Sequence, residues 1–308
     1  MAPQSGGASW QKQGTHPMTP GTLFCFGLGF SARVLAARLH RQGWGVIGTS
    51  RSLQKAADLA ALGYDSHVFD GSAPLSDPSV LAPATHMLIS VPAEDEADAV
   101  LRWHAADIAR LPNLKWLGYL STTGVYGDRK GDWVDEATPI NPTQGRSRRR
   151  AEAEAGWLKL QAEHGVPVHV FRLAGIYGVG RNQLEGVKRG TAHRINKPGQ
   201  VFCRIHVEDI AQVLEASMAR PNPGAIYNVA DDAPAPPQDV VKYAADLLGI
   251  TPPPEIPFDQ AQLSPMAASF YADSRRVHND RIKTELGVAL KYPTYREGLK
   301  ALLPTVNG

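Results

Sequence analysis

The chain has 308 residues, and its 32 Lys and Arg residues nearly balance its 30 Asp and Glu residues, for a formal net charge of +2. This balance gives no strong field to attract nucleic acid or an acidic membrane. Two cysteines, Cys25 and Cys203, are too few for a disulfide framework or a cysteine-rich metal site. No apolar run approaches the roughly 18 residues that span a bilayer. We therefore expect a chain without metal, nucleic acid or membrane contacts in the reducing cytoplasm.

Residues 1–19 predict a disordered tail. They are polar and lack the apolar centre of a signal peptide. Met18 precedes the first predicted strand closely, so it is a second candidate for the natural start.

Residues 22–39 predict a strand, a glycine turn and a helix. The first glycine permits a tight turn, the second lets the backbone approach a pyrophosphate, and a small residue lets the helix pack closely on the strand. The helix start offers free N–H groups and a positive dipole to phosphate. A glycine turn can also end a strand for structural reasons alone. The predicted dinucleotide-binding turn consists of Gly27, Leu28, Gly29, Phe30, Ser31 and Ala32.

A second predicted strand, residues 45–49, ends where a dinucleotide fold reads the ribose. The residues there are Thr49, Ser50 and Arg51, without a carboxylate. A carboxylate would hold the ribose hydroxyls of NAD and repel the 2′-phosphate of NADP, whereas hydroxyls beside a guanidinium suit that phosphate. The sequence therefore predicts NADP, with NAD less favoured. The alternative is that Arg51 only caps a solvated helix start.

The following segments alternate between strands and helices, which predicts an α/β fold with a doubly wound parallel sheet of the Rossmann type. The predicted strands span 66–69, 86–91, 114–121 and 168–173, and the predicted helices span 53–62, 93–110 and 146–164. Ligands bind such sheets at the carboxyl ends of the strands. Five further residues should therefore border the same crevice: Asp70, Ser90, Val91, Pro92 and Ser121.

Beyond residue 175 the alternation fails. The sequence predicts a glycine-rich loop at 177–182, a helix at 183–191, a turn at 196–200, a strand at 201–207, a helix at 208–220 and a strand at 225–229. Proline-rich connections then lead into a small helical lobe. We predict a dinucleotide-binding domain at 20–175 and a substrate lobe at 176–308, with 201–230 returning to the first domain.

Several motifs resemble the extended and atypical short-chain dehydrogenase/reductases, the NAD-dependent epimerase/dehydratase family, over residues 20–303. They are GLGFSA, LSTTGVYGD, FRLAGIYGVGRN, RIHVEDIA and IYNVADD. The resemblance implies a nicotinamide cofactor, with Asp70 at the adenine, Ser90 and Val91 along the cofactor, and the segment from Arg172 through Leu173 to Tyr177 at the nicotinamide end. It also implies a small-molecule substrate and a possible homodimer.

The family's chemistry uses a Ser or Thr, a Tyr and a Lys. By resemblance, Thr122 takes the first role, with Ser121 beside it. Gln144 stands where the tyrosine belongs and Arg148 where the lysine belongs. Glutamine has no proton to exchange, so it cannot act as a general acid. Arg148 can still hydrogen-bond the cofactor ribose, but as a permanent cation it differs from a lysine.

Two tyrosines, Tyr126 and Tyr177, are alternative proton donors. The resemblance gives His206 a packing role with a hydrogen bond to Asp209. Other arginines divide between site and surface: Arg149 and Arg150 are expected on a solvated helix face, whereas Arg181 and Arg204 fit either a substrate anion or a surface position.

Three functions remain open at this point. The first is an NADP-dependent oxidoreductase with a nonstandard site that acts on a small carbonyl or alcohol. The second is a noncatalytic cofactor-binding sensor or regulator, which the missing tyrosine favours. The third is an epimerase or dehydratase that recycles its bound cofactor.

Overall fold

The computed structural model describes residues 18–92 and 98–307. Most of the predicted tail, residues 1–17, lies outside the described residues, and so do residues 93–97 of the predicted helix 93–110. The helices are α1 Phe30–Arg41, α2 Leu53–Ala60, α3 Ala99–Ala109, α4 Gly145–His164, α5 Gln183–Lys188, α6 Val207–Ala219, α7 Pro237–Leu248, α8 Pro265–Tyr271, α9 Asp280–Thr284 and α10 Tyr295–Asn307.

The strands follow the predicted alternation. They are β1 Thr22–Phe26, β2 Gly45–Ser50, β3 Asp65–Val68, β4 His86–Ile89, β5 Trp116–Thr122, β6 Trp133–Val134, β7 Val168–Leu173, β8 Gly175–Tyr177, β9 Arg194–Asn196, β10 Arg204–His206, β11 Ile226–Val229, β12 Glu255–Pro257 and β13 Arg276–Val277. Seven of them form one parallel sheet in the order β11-β7-β5-β4-β1-β2-β3. This confirms the predicted Rossmann-type fold. The chain reverses its direction of travel across the sheet between β1 and β4, and a crevice opens at such a point.

The two faces of the sheet are covered by different helices because strand side chains alternate. Leu23 and Cys25 of β1 pack in the same cluster as residues of α1 and α6. Phe24 and Phe26 point the other way and pack with residues of α3 and α4. Both faces are thus buried, which accounts for the near-continuous apolar strands.

A separate apolar core holds the C-terminal lobe together. Leu184 of α5, Val240 of α7 and Leu299 of α10 belong to it, and β9 pairs with β12 beside them. Between α6 and α7 the chain contributes β11 to the edge of the main sheet next to β7. The lobe therefore sits over the carboxyl ends of β5 and β7.

Two predicted elements are shorter in the structure. The strand predicted at 201–207 is only β10, because Phe202 instead forms an isolated bridge with Ala235. The helix predicted at 183–191 ends at Lys188, and Gly190 follows with a φ of +69°. Within the described ranges, every helix is too short or too polar to cross a bilayer.

Candidate functional site

The glycine turn after β1 is fixed from both sides. Gly27 has a φ of +82°, and a Cβ on it would lie 2.9 Å from the Val91 side chain, so only glycine fits there. Its N–H donates to the Thr49 hydroxyl over 2.8 Å. Thr49 is fully buried, so its side chain stabilises the turn instead of facing the ribose.

Gly29 needs a different explanation. Its φ of −89° suits any residue, and a Cβ on it would meet nothing within 4 Å. The α1 helix begins there without a side-chain cap, so N–H groups of its first turn are available to a ligand. Open space beside uncapped N–H groups fits a bound pyrophosphate. The fold itself does not require this glycine, whereas a cofactor would.

The rest of the predicted turn anchors α1. The Leu28, Ser31 and Ala32 side chains are buried. A Cβ on Gly48 would lie 2.9 Å from the Leu28 side chain, so Leu28 packs tightly on β2. Phe30 is half-buried and lies under the Arg181 guanidinium, 5.6 Å from its ring centroid. These residues offer backbone atoms, not side chains, to a cofactor.

The predicted adenosine end is open. Arg51 is exposed at the end of β2, and the Ser50 hydroxyl donates to the carbonyl oxygen of Ser52 over 2.9 Å. Asp70 is exposed, and its carboxylate accepts two hydrogen bonds from Ser72, which lower the pKa of Asp70. Ser90 and Val91 are half-buried and Pro92 is exposed. The structure thus brings these predicted cofactor residues to the side of the sheet where the carboxyl ends of β2, β3 and β4 lie.

A cavity of about 750 Å³ lies between the carboxyl ends of β5 and β7 and the C-terminal lobe. Such a volume is typical of a small-molecule site. The cavity brings together six of the residues singled out by sequence: Ser121, Thr122, Leu173, Tyr177, Arg181 and Arg204.

Thr122 is a polar side chain that lines the cavity at the carboxyl end of β5. It is half-buried, and its hydroxyl oxygen accepts the N–H of Gly124 over 3.0 Å. That contact leaves the hydroxyl proton free to be donated to a ligand oxygen. Its neighbour Ser121 is buried and donates to the Glu154 carboxylate.

Tyr126 does not line the cavity. It is fully buried, its hydroxyl donates to Asn228 Oδ1 over 2.7 Å, and it accepts from Arg172 Nη1 over 2.9 Å. Burial raises the pKa of Tyr126, although Arg172 opposes that effect. Because its hydroxyl is fully engaged below the crevice, Tyr126 is not placed to protonate a substrate.

Tyr177 lines the cavity with its ring, but its hydroxyl lies 3.5 Å from the carbonyl oxygen of Thr294. A Cβ on Gly298 would clash with that hydroxyl, so the group sits against the start of α10. Burial, reinforced by Asp231 and Asp209, strongly raises the pKa of Tyr177. It is therefore a weak acid whose hydroxyl contacts the residues at the start of α10.

Arg148 and Arg150 of α4 have environments opposite to those predicted. Arg148 is exposed, and its Nη1 donates to the carbonyl oxygen of Thr143 over 3.0 Å, so it lies outside the cavity lining. Arg150 is half-buried, lines the cavity and donates from Nη1 to the carbonyl oxygen of Leu120 over 2.6 Å. The expectation that Arg150 lies on a solvated face is thus corrected.

A buried ion pair below the crevice had no sequence signal. Arg172 Nη2 lies 2.7 Å from Glu154 Oε2, and the two residues are 4% and 2% exposed. Glu154 follows Arg150 by one helical turn, a spacing typical of a surface pair. Instead it joins Arg172 and Ser121 beneath the cavity floor.

His206 has the expected structural role with a different partner. Its Nδ1 accepts the N–H of Glu208 over 3.2 Å at the start of α6. Asp209 accepts the N–H groups of Lys291 and Tyr292 instead. The predicted bond between His206 and Asp209 is therefore replaced by two bonds to the C-terminal segment.

The lobe supplies site residues that carried no recognisable motif. Tyr271, Asp273 and Arg275 follow one another along one wall of the cavity. The Asp273 carboxylate accepts from the Thr143 hydroxyl over 2.7 Å, which links this wall to the start of α4. Only the tertiary structure brings these residues to Thr122.

A sequence profile of the NAD-dependent epimerase/dehydratase family matches residues 90–230. The chain is 52% identical to a conserved protein of unknown function from Silicibacter pomeroyi, with a TM-score of 0.85 over 94% of this chain and all of that one. A Bacillus anthracis dTDP-glucose 4,6-dehydratase in complex with NAD has a TM-score of 0.75 over 93% of this chain and 96% of that chain, but 17% identity, so this likeness concerns the fold.

A curated relative is similar over part of the chain. A 3-diazoavenalumate denitrifying reductase from Streptomyces is 31% identical in an alignment 154 residues long that covers 46% of this chain. The match spans about half (49%) of the length of that relative.

Proposed function

The chain belongs to the NAD-dependent epimerase/dehydratase family, and from this premise we propose that it is a nicotinamide-dependent reductase of a small carbonyl compound. One observation carries the proposal. The open glycine turn at Gly29 follows β1 at the same side of the sheet, the carboxyl ends of its strands, as a cavity of about 750 Å³ that Thr122 lines at the end of β5. Cofactor and substrate would meet where the strands end.

Each residue has a role in this proposal. A nicotinamide bound in the crevice supplies the hydride. The backbone at Gly29 and the start of α1 hold its pyrophosphate, and Asp70 faces its adenine. The Thr122 hydroxyl donates to the carbonyl oxygen and polarises it. Because the hydroxyls of Tyr126 and Tyr177 are turned away, the proton that completes the alcohol comes from solvent by way of Thr122.

The main alternative is a cofactor-binding protein without turnover. Gln144 favours it, because it stands at the N-cap position of α4, without a side-chain capping bond, where the family's tyrosine belongs. The presence of a large cavity beside the crevice supports a substrate instead. The name of the Streptomyces relative, a reductase, agrees with the same reaction class.

Replacing Gly29 with alanine tests the proposed function. The purified protein should oxidise reduced nicotinamide cofactor in the presence of small aldehydes or ketones. Gly29→Ala should leave the melting temperature unchanged, since the new Cβ meets nothing within 4 Å. It should weaken cofactor binding by about 10-fold or more, because the pyrophosphate needs that space. Calorimetric titration and the absorbance of the reduced cofactor measure both effects.

Gly165→Ala is the matched control for that variant. Gly165 ends α4 far from the crevice with a φ of +69°, so the change strains the backbone without touching the cofactor site. It should lower stability and leave cofactor affinity unchanged. Tight cofactor binding without turnover of any carbonyl would favour the noncatalytic alternative, and unchanged binding in Gly29→Ala would contradict the assigned crevice.

Arg51→Ala tests our further proposal that NADP is the preferred cofactor. The variant should bind NADPH about 10- to 100-fold more weakly, since a guanidinium makes charge-assisted bonds to the 2′-phosphate. Its affinity for NADH should change less than about twofold. Parallel titrations with both cofactors give the answer. Arg41 lies at the end of α1 that is remote from the glycine turn, so Arg41→Ala should change neither the NADPH affinity nor the NADH affinity.

A further inference from the structure

The wall of the cavity is rich in arginine. An uncharged carbonyl substrate does not explain this excess of positive charge. In the described lining, Asp273 is the acidic residue, whereas four arginines line the same space. They are Arg150, Arg181, Arg204 and Arg275. Cations in a partly desolvated cavity are unfavourable unless an anion joins them. The wall therefore favours an anionic occupant.

Arg204 has the clearest geometry for binding such an anion. Its Nη1 donates to the carbonyl oxygens of Phe202 over 2.9 Å and of Ala235 over 3.3 Å. These neutral acceptors fix the guanidinium without neutralising it. In the described part of the chain, no carboxylate forms an ion pair with Arg204, and its other N–H groups remain for a ligand.

The acid that acts on Arg204 from behind is Asp231, which is 1% exposed. Its Oδ1 accepts the N–H of Ala233 over 3.2 Å, and its Oδ2 is buried without a partner. Burial raises the pKa of Asp231 to about 8. The shift favours the protonated carboxyl, which offsets the charge of Arg204 less than a carboxylate would.

The neighbouring guanidiniums are held in a similar way. Arg275 Nη1 donates to the carbonyl oxygen of Gly127 over 2.7 Å and lies 3.4 Å from Asp273 Oδ2. The other oxygen of that carboxylate accepts from the Thr143 hydroxyl, so Asp273 is held in place where it partly offsets the charge of Arg275. Arg181 is exposed and rests on Phe30. Prepositioned planar cations suit a carboxylate, which can accept two parallel hydrogen bonds.

The remaining walls suit a flat apolar body. Phe202 and Tyr271 pack edge to face, with ring centroids 5.3 Å apart, and both border the cavity. Val240 and Leu299 lie among the other lining residues. Aromatic rings bind other rings edge to face or offset-stacked.

Strand pairing brings Thr122 and Arg204 to the same region of the fold. Thr122 pairs with Leu173 at the end of β7, and two residues later Gly175 of β8 pairs with Arg204. Both residues line the cavity, so a ligand with a polar group at each end can contact both.

Resting on the proposed function, we propose that the substrate is a small aromatic carboxylic acid bearing a carbonyl group, with its carboxylate on Arg204 and its carbonyl oxygen on Thr122. In the reaction the carbonyl carbon gains the hydride of the reduced nicotinamide and the oxygen gains one proton from solvent. The product is the corresponding hydroxymethyl or secondary alcohol acid, and the cofactor leaves oxidised.

The test compares para-carboxybenzaldehyde with para-methylbenzaldehyde, which differ in the anion but share shape and carbonyl. We expect kcat/KM to be about 10- to 100-fold higher for the acid. Arg204→Met should remove this preference by lowering the value for the acid and leaving the methyl compound within about threefold. Arg189→Met, on the outer surface of α5, should keep the full preference.

Binding separates this inference from the proposed function. Benzoate should bind the cofactor-loaded protein, and Arg204→Met should abolish that binding even if no aldehyde is turned over. Equal use of the two aldehydes, or absence of benzoate binding, would overturn the inference while carbonyl turnover stands. Tighter binding of UDP-glucose than of benzoate would replace the aromatic acid by a nucleotide diphosphate sugar. If Arg204→Met does not fold, Arg204→Lys should retain part of the preference.

Discussion

Arg172→Met is expected to lower the free energy of unfolding by about 3–5 kcal/mol. The change leaves Glu154, which is 2% exposed, as a buried carboxylate without its guanidinium partner. It also removes a donor to the hydroxyl of Tyr126. Urea denaturation and the melting temperature measure the loss.

Two comparisons make that result specific. Lys159→Met breaks an exposed pair with Glu163 at 3.7 Å and should cost less than about 1 kcal/mol. The double variant Arg172→Met with Glu154→Leu should be more stable than Arg172→Met alone, since no charge is then left buried. A loss below about 1 kcal/mol for Arg172→Met would show that the pair contributes little to the floor of the cavity.

Asp231→Asn should make the protein more stable at alkaline pH and remove a pH dependence. The carboxyl has a pKa of about 8 in the folded protein and an ordinary value near 3.8 when unfolded. Below pH 4 both states keep the proton and there is no penalty. Between pH 4 and 8 the unfolded state releases it first, so the wild type loses stability as pH rises. The advantage of Asn should reach the order of 3–5 kcal/mol near pH 8 and then level off.

Thermal unfolding of both proteins at several pH values measures this difference. Asp135→Asn is the control of opposite sign, because hydrogen bonds from Thr138 lower the pKa of Asp135 and favour the folded state above its ordinary titration range. If Asp231→Asn and the wild type lose stability in parallel between pH 4 and 8, Asp231 is charged in the folded protein. Arg204 would then have an anionic neighbour within the chain.

The elements that sequence reasoning located well are those in which local pattern and tertiary structure agree. The strand predicted at 168–173 coincides with β7, because a continuous apolar run is what a doubly covered strand requires. In the turn that follows β1, Gly27 is required by its positive φ in the same way. Thr49 was misjudged because its position at a strand end does not reveal which way its side chain points.

The chemistry of the cavity could not be derived from sequence for a related reason. Arg172 meets Glu154, and Tyr271 meets Phe202, across long stretches of chain. No local sequence pattern predicts either contact. Arg148 and Arg150 are two residues apart on one helix, yet only Arg150 lines the cavity. The rotational position of α4 decides which of the two arginines contacts solvent. A sequence-based prediction places helix boundaries only to within one or two residues, so it cannot fix that position.

The late arrival of β11 has a consequence for synthesis of the chain. Residues 226–229 complete the sheet beside β7, but they are translated more than fifty residues after it (226 against 173). Until they leave the ribosome, β7 presents an unpaired, apolar edge. Such edges are where nascent chains pair with the wrong neighbour. The length of the segment between β7 and β11 therefore also sets how long the edge of β7 stays exposed to wrong pairing while the chain is synthesised.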